Sequence, residues 1–384
     1  MKVAHLTTVD SSLRYLLLAQ LEAAHNAGWE ALGISAPGVD VEVLEAAGIR
    51  HLPLPSSTRG MNLGHDLRAA HQLWRILRRE RVDVLHTHNP KPGLYGRVVG
   101  RATGAPVVVN TVHGLYAAPG DPWLKRALVY GLEAIASRFS DAELVQNPED
   151  LELMGRLRLA PRGRARLLGN GVELARFDPA RFGPEDRAAV RAEWGVSPDR
   201  VVVGTVGRLV AEKGYPELFA AAHELHYDVD LVVVGPGDPA KPDALPASAV
   251  AAARSAGVTF LGHRTDVERL YAGFDIFVLA SHREGFPRAA MEAAAMGLPI
   301  VATDVRGCRQ VVEHEVNGLL VGVRDHHALV GAIRRLADDP ALRRRMGEAG
   351  HQRAREQFDE QRVVQIVLDT YRDVGRRKGL PWAT

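Results

Sequence analysis

Short apolar runs of strand length alternate along the chain with longer stretches in which apolar positions recur every three or four residues. KVAHLTTV is followed by LRYLLLAQLEAAHNAG, then by EALGIS, VDVLHTH and PVVVNTVHG. This alternation predicts parallel strands joined by crossover helices, a doubly wound α/β layout. The rhythm restarts at Val201 with VVVGTVG, DLVVVGPG, VTFLGH, IFVLAS and PIVATD, separated by helical stretches such as Pro216 to Leu225 and Val267 to Ala272. A second open sheet of the same kind is expected there. Between the two runs a less regular region, Val172 to Asp199, is punctuated by Pro179, Pro184 and Pro198, which places the linker near Val172 to Gly183. The expected division is an N-terminal domain over 1–178, a C-terminal domain over 179–360 and a final helix within 361–384. That helix carries Val363, Val364, Ile366, Val367, Tyr371 and Val374 and must pack on something; the N-terminal domain is the candidate partner.

A length of 384 residues agrees with two domains and a cleft between them. Hydrophobic residues at 46% and charged residues at 24% are those of a soluble globular protein and argue against disorder or a membrane-spanning chain. Lys and Arg (48) nearly balance Asp and Glu (46), so bulk charge gives no reason to expect nucleic acid as a partner, and any basic function must be local. Cys308 is the single cysteine, which excludes an intrachain disulfide and a Cys-rich zinc site. The segment MKVAHLTTV runs straight into a strand pattern, and Tyr15 to Leu18 is too short for a secretory or spanning segment. The expectation is a cytoplasmic protein that meets a membrane, if at all, peripherally on its inner face.

In open α/β sheets ligands bind beyond the carboxyl ends of the strands, so motifs at strand ends carry the functional argument. In VGTVGRLVAEKG, Arg208 and Lys213 follow a buried strand and are suited to close on a diphosphate, Arg208 through its planar fork and Lys213 as a point charge. A solvated basic turn is the alternative. In SHREGFPRAAMEAAAMG, Pro287 fits a first helical turn and Gly297 a stop, predicting a helix from about Pro287 to Met296. Glu284 then precedes the helix and Glu292 sits inside it, while the amides near Gly285, Phe286 and Arg288 lie at its positive end. Two carboxylates at separate heights can accept from hydroxyls of two rings of one ligand; otherwise they are a dipole contact and a solvated side chain. The alanines at 289, 290 and 293 to 295 imply close packing or close ligand approach.

These segments, with FLGHRTDVERLYAGFDIFVLAS, PIVATDVRGCRQVV and EVNGLLV, resemble the donor domain of family 4 glycosyltransferases, densely over Gly204 to Val323 and more loosely over the N-terminal half. The resemblance implies the GT-B architecture, two Rossmann-like doubly wound parallel-sheet domains facing a central cleft, and retaining transfer from a nucleotide sugar, with a UDP-linked donor expected and with no cofactor and no obligatory metal. Glu284 and Glu292 match that family's Glu-x7-Glu motif. By resemblance Glu284 contacts the donor sugar, Glu292 the ribose, and Arg208 with Lys213 the diphosphate. Gly285, Phe286 and Pro287 belong to the same donor-binding stretch. Gly262 and His263, within Val258 to Arg264, line the base pocket. NGVE, Asn170 to Glu173, resembles the family's lead into the linker, with Glu173 where Asp is more usual. No carboxylate is assignable as a nucleophile, so a same-face substitution is expected, the leaving phosphate helping to deprotonate the acceptor.

In the N-terminal half, His113 ends the strand of VVVNTVHG. It is either a satisfied structural histidine or, as the resemblance implies, a group facing the donor sugar and catalytic together with Glu284, Arg208 and Lys213. In HTHNPKPG, His86 and His88 are read as alternating faces of a strand without a clear third ligand, so no metal site is expected. Lys91 meets an acceptor phosphate or is solvated. The first strand-to-helix loop, TTVDSSLRY, departs from the family's glycine pair, leaving Ser11, Ser12 and Arg14 as acceptor-binding candidates. LRAAHQLWRILRRERV reads as an amphipathic helix with a basic face, either a crossover helix or one able to lie on an anionic membrane.

The expected function is transfer of a hexose-type sugar to an acceptor hydroxyl in bacterial surface polysaccharide or lipid-linked glycan synthesis, the acceptor being a glycan or polyprenyl-linked. The alternatives are a glycosyltransferase for a small natural product, a nucleotide-sugar epimerase of the same fold, and a non-catalytic sugar-nucleotide-binding subunit. A nicotinamide dehydrogenase is rejected: GPGDPA at Gly235 to Ala240 fits the dinucleotide glycine pattern, but Pro236, Pro239, Pro242 and Pro246 deny the helix that must follow it.

Overall fold

The computed structural model describes residues 1–383 apart from 59, 61, 89, 118, 119, 227 and 240. Asn89, in the His86 to Gly93 segment, and Ala240, at the end of the Gly235 to Ala240 run, therefore lie outside the described residues.

The chain forms two compact units, Met1–Gly169 with Gln361–Thr384, and Asn170–Glu360. In the first, β1 (Lys2–Val9), β2 (Glu30–Ala36), β3 (Arg50–Pro53), β4 (Val84–His88), β5 (Val107–Val112), β6 (Ala142–Val145) and β7 (Ala165–Leu167) form one parallel sheet in the order β3-β2-β1-β4-β5-β6-β7. Side-chain alternation along β1 splits its apolar residues between two cores. Val3 joins Leu13, Leu17 and Leu21 on one face, while Ala4 and Leu6 join Leu73 and Leu77 on the other. In the second unit β8 (Val201–Val206), β9 (Val229–Val234), β10 (Thr259–Gly262), β11 (Ile276–Leu279), β12 (Ile300–Thr303) and β13 (Gly318–Val321) are parallel in the order β10-β9-β8-β11-β12-β13. Both sheets are doubly wound, and each reverses strand order once, between β1 and β4 and between β8 and β11. Those reversals are where the crossover helices part and leave a crevice.

The units divide after Gly169, not after Asp178. Val172 bridges Asp359 and its amide donates to the Phe358 carbonyl at 2.9 Å, while Phe177 packs edge-on to Tyr271 in the second unit's core. Proline punctuation marks irregular backbone here, but that backbone is already committed to the second unit. The final helix, Glu360–Arg377, supplies Val363, Val364, Val367, Tyr371 and Val374 to the core that contains Val3 and Leu17, so from Gln361 onward it completes the first unit.

Candidate functional site

At the second unit's reversal, the loop after β8 carries Arg208 and Lys213, and the loop after the neighbouring β11 carries Glu284. Lys213 Nζ lies 2.6 Å from Glu284 Oε1, which also accepts from Ser281 Oγ at 2.7 Å. The lysine and glutamate side chains are 26% and 11% exposed, so solvent screens their attraction only in part. Arg208 Nη1 donates to Asp238 Oδ2 at 2.6 Å, on the loop after β9. Each of these cations is paired with a carboxylate near a strand end, Lys213 largely covered and the Arg208 side chain 41% exposed.

Two glycines make this approach possible. Gly214 sits at φ +72°, and a Cβ there would lie 1.9 Å from the Ala280 carbonyl oxygen, so the backbone after Lys213 can pass β11 only without a side chain. A Cβ on Gly307 would come within 2.6 Å of the Glu284 carbonyl group, so the short helix Arg306–Val311 lies directly against the glutamate's backbone.

The helix after Glu284 is Arg288–Ala295, with Pro287 as its N-cap and not in its first turn. Glu292 is 14% exposed; its Oε2 accepts from the Tyr271 hydroxyl at 3.0 Å, and its Oε1 lies 4.0 Å from Arg288 Nε. Burial pushes the Glu292 carboxyl above the usual carboxylate range, against the pull of Arg288 and Tyr271. The alanine run is explained by packing: Ala290, Ala293, Ala294 and Ala295 are buried, and Ala294 lies against Gly350 of helix Pro340–Gln357. The Phe286 carbonyl accepts from Asn170 Nδ2 at 3.0 Å, which ties NGVE to the Gly285–Pro287 stretch. Gly262 and His263 are exposed at the end of edge strand β10, two strands from β8.

The first unit's reversal is built differently. His113 follows β5, and its Nε2 lies 3.1 Å from His88 Nδ1. His88 Nε2 lies 3.0 Å from His5 Nδ1, and His5 Nε2 3.1 Å from the Tyr371 hydroxyl. That hydroxyl is 2.6 Å from His86 Nδ1, and His86 Nε2 is 2.7 Å from Thr111 Oγ1. The reading of His86 and His88 as alternating faces is corrected: positions two apart on a strand share a face, and their ring centroids are 4.1 Å apart. His5, opposite His86 in the β1–β4 register, is the third imidazole that sequence reasoning missed. Each ring nitrogen of these three buried histidines already has a protein partner. Burial pushes His5 down to about 3 and His113 to about 4, and His86 and His88 well below the ordinary histidine value, so the whole cluster is neutral at pH 7.

The acceptor candidates are spread around the β1 and β4 ends. Arg14 Nη1 is 2.6 Å from Asp40 Oδ1, and the Asp40 amide donates to buried Asp10 at 2.8 Å, which fastens the start of the helical segment after β1 to the loop after β2. Ser11 and Ser12 are half-buried and helical: β1 runs into a helix at Asp10 with no loop between, which corrects the expected strand-to-helix loop. Lys91 is not solvated: Nζ is 2.5 Å from Asp66 Oδ1 and donates to the Thr58 and Gly60 carbonyls at 2.9 and 2.6 Å.

Comparison with known proteins meets this geometry from outside. The Glycosyl transferases group 1 family matches residues 186–353, and the Glycosyl transferase 4-like domain matches residues 16–171. The chain is 30% identical over 301 residues to the Escherichia coli UDP-Gal:alpha-D-GlcNAc-diphosphoundecaprenol alpha-1,3-galactosyltransferase, covering 77% of this chain and 76% of that one. This chain is a family 4 glycosyltransferase. The glycosyltransferase is also 24% identical over 375 residues to the Campylobacter jejuni N,N'-diacetylbacillosaminyl-diphospho-undecaprenol alpha-1,3-N-acetylgalactosaminyltransferase, covering 97% of this chain and 98% of that one. Its GT-B fold matches Anabaena HepE, solved in complex with UDP and glucose, with a TM-score of 0.81 at 20% identity over 96% of this chain and 99% of that chain. Among the described residues of this glycosyltransferase, no helix is long and apolar enough to cross a membrane.

Proposed function

We propose that this glycosyltransferase moves a hexose-type sugar, with retention of configuration, from a UDP-sugar to a hydroxyl of a polyprenyl-diphosphate-linked glycan. The observation that carries the reading is Lys213 and Glu284 held 2.6 Å apart where β8 and β11 reverse strand order, with Arg208 on the same β8 loop. An incoming diphosphate competes for the Lys213 ammonium and frees Glu284 Oε1 to accept from sugar hydroxyls. Arg208 meets the same diphosphate, and Glu292 Oε1, which Arg288 approaches no closer than 4.0 Å, accepts from the ribose.

In the transfer the bond from the anomeric carbon to the phosphate oxygen breaks, and the bond to the acceptor oxygen forms on the same face. The acceptor proton passes to the leaving phosphate. Negative charge grows on that phosphate, and Arg208 and Lys213 are preorganised to stabilise it, so the reading asks for no metal. His113, neutral at working pH, is the first-unit group that the family resemblance assigns to the donor sugar. Ser11, Ser12 and Arg14 are the acceptor-side groups. The UDP and lipid-linked parts of the proposal lean on the relatives, whose names carry UDP-Gal and diphosphoundecaprenol acceptors.

Titration calorimetry against UDP, GDP, dTDP and ADP tests the donor half. UDP is expected to bind selectively, and Arg208→Ala or Glu292→Ala to weaken it about tenfold to a hundredfold. Binding of no nucleotide, or equal binding by the variants, overturns the donor site. An inverted anomeric configuration in the product, read by NMR, overturns retention.

A further inference from the structure

Three helices of the first unit, Leu63–Glu80, Pro90–Ala102 and Trp123–Ala136, pack side by side, the first on the second and the second on the third. The third has an outer face of unusual character. Trp123, Leu124, Leu128, Leu132 and Ile135 are 72, 64, 63, 42 and 60% exposed, and the last four follow a spacing of four, four and three that runs down one side of the helix. Its inward contacts are made by other residues, among them Tyr130 and Ala136. The first helix repeats the pattern, with Leu63, Leu67 and Trp74 at 76, 63 and 42% exposure, while Ala69, Leu73 and Leu77 are buried beneath. Single exposed leucines are ordinary, but apolar stripes on two helices of one three-helix layer are not.

Charge identifies the occupant. The first helix exposes Arg68, Arg75, Arg78 and Arg79, whereas Lys91, Arg97, Arg101 and Lys125 on the other two helices are each paired with a carboxylate. The local basic function that balanced composition left unplaced fits this exposed arginine row. Arg68, Arg75, Arg78 and Arg79 lie along the first helix, and the Arg78 guanidinium sits 5.6 Å from the centroid of the Trp74 ring. A second copy of this chain would bring like charge against like charge. A surface of leucine, isoleucine and tryptophan mixed with arginine instead fits the boundary between anionic headgroups and acyl chains.

We propose that this three-helix face docks on an anionic lipid bilayer. Leu124, Leu128, Leu132 and Ile135 enter the acyl boundary, and the arginines of Leu63–Glu80 meet lipid phosphates. The inference deepens the lipid-linked acceptor reading, because an enzyme seated on the bilayer meets a polyprenyl-carried acceptor in two dimensions. It uses none of the donor-site residues.

Co-sedimentation of the full chain with phosphatidylcholine vesicles, with and without phosphatidylglycerol, tests it. The expected result is binding at least about tenfold stronger with phosphatidylglycerol, weakened by salt. Leu128→Glu with Leu132→Glu should reduce vesicle binding about a hundredfold. Arg75→Glu with Arg78→Glu should abolish the phosphatidylglycerol preference. All four positions lie outside the donor site, so UDP binding and transfer to a water-soluble acceptor fragment should be unchanged in both variants. No binding, binding indifferent to phosphatidylglycerol, or full binding by the leucine variant overturns the proposal. So does a wild-type dimer that the leucine variant splits, since a second copy then covers the face. Vesicle binding without transfer to any lipid-linked glycan overturns the acceptor reading and leaves the docking face standing; transfer without vesicle binding does the reverse.

Discussion

The two strand-order reversals of this molecule use opposite chemistry. In the second unit the polar groups are charged, paired one to one and partly open, as with Lys213 and Glu284 or Arg208 and Asp238. In the first they are buried and neutral imidazoles bonded in series, and the nearby buried charge, Arg97, is enclosed between Glu133 and Glu143 at 2.7 and 2.8 Å. The same topology thus supports a half-open electrostatic site in one unit and a closed polar core in the other. A charge that must exchange partners with a ligand stays near water; one that holds strands and helices together can be sealed.

The largest effect separating these roles is expected at Arg97. Arg97→Ala leaves two carboxylates without their cation and should cost about 3–5 kcal/mol of stability, measured by denaturant unfolding. A loss under about 1 kcal/mol would break the contrast. Next is Lys213→Ala, which should lower turnover about 10²- to 10³-fold while changing stability by no more than about 1 kcal/mol. A large stability loss with turnover kept would make that pair structural as well.

Acid acts in smaller steps, spread over several pH units. His5 and His113 are held neutral down to about 3 and 4, whereas the unfolded chain takes up their protons below about 6.5. Their contribution is therefore complete above about pH 6.5 and is lost as pH falls toward those values, by about 1.4 kcal/mol per pH unit for each imidazole. Glu292 in the second unit has the opposite sign, since its raised pKa favours the folded state as pH falls. Hydrogen exchange along an acid titration should show the first unit losing protection at a higher pH than the second. Simultaneous loss would break the comparison.

That Arg208, Lys213 and Glu284 lie at strand ends was legible because each sits in a contiguous motif there, where chain order alone sets the neighbourhood. Their partners were less so. Asp238 lies in the loop that fails as a dinucleotide fingerprint, and its tie to Arg208 depends on β9 neighbouring β8. Gly307 follows Glu284 by more than twenty residues and shows its purpose only through a steric approach. The histidine cluster draws on β1, β4, the end of β5 and the last helix, so it emerges only from strand register; HLTT and HTH, set side by side in a parallel pair, were the available signal. The boundary at Gly169 escaped for a related reason: the Val172–Asp359 bridge spans nearly half the chain, and proline spacing reports only local irregularity.

That the helix from Gln361 onward closes the first unit gives the order of synthesis a meaning. A ribosome delivers all of the second unit before the residues that finish the first, so the nascent chain carries its first sheet with the seat of Tyr371 unfilled and a hydroxyl missing between His5 and His86. A stop codon just ahead of Gln361 would consequently injure the unit that begins at Met1, and leave intact the unit made in between.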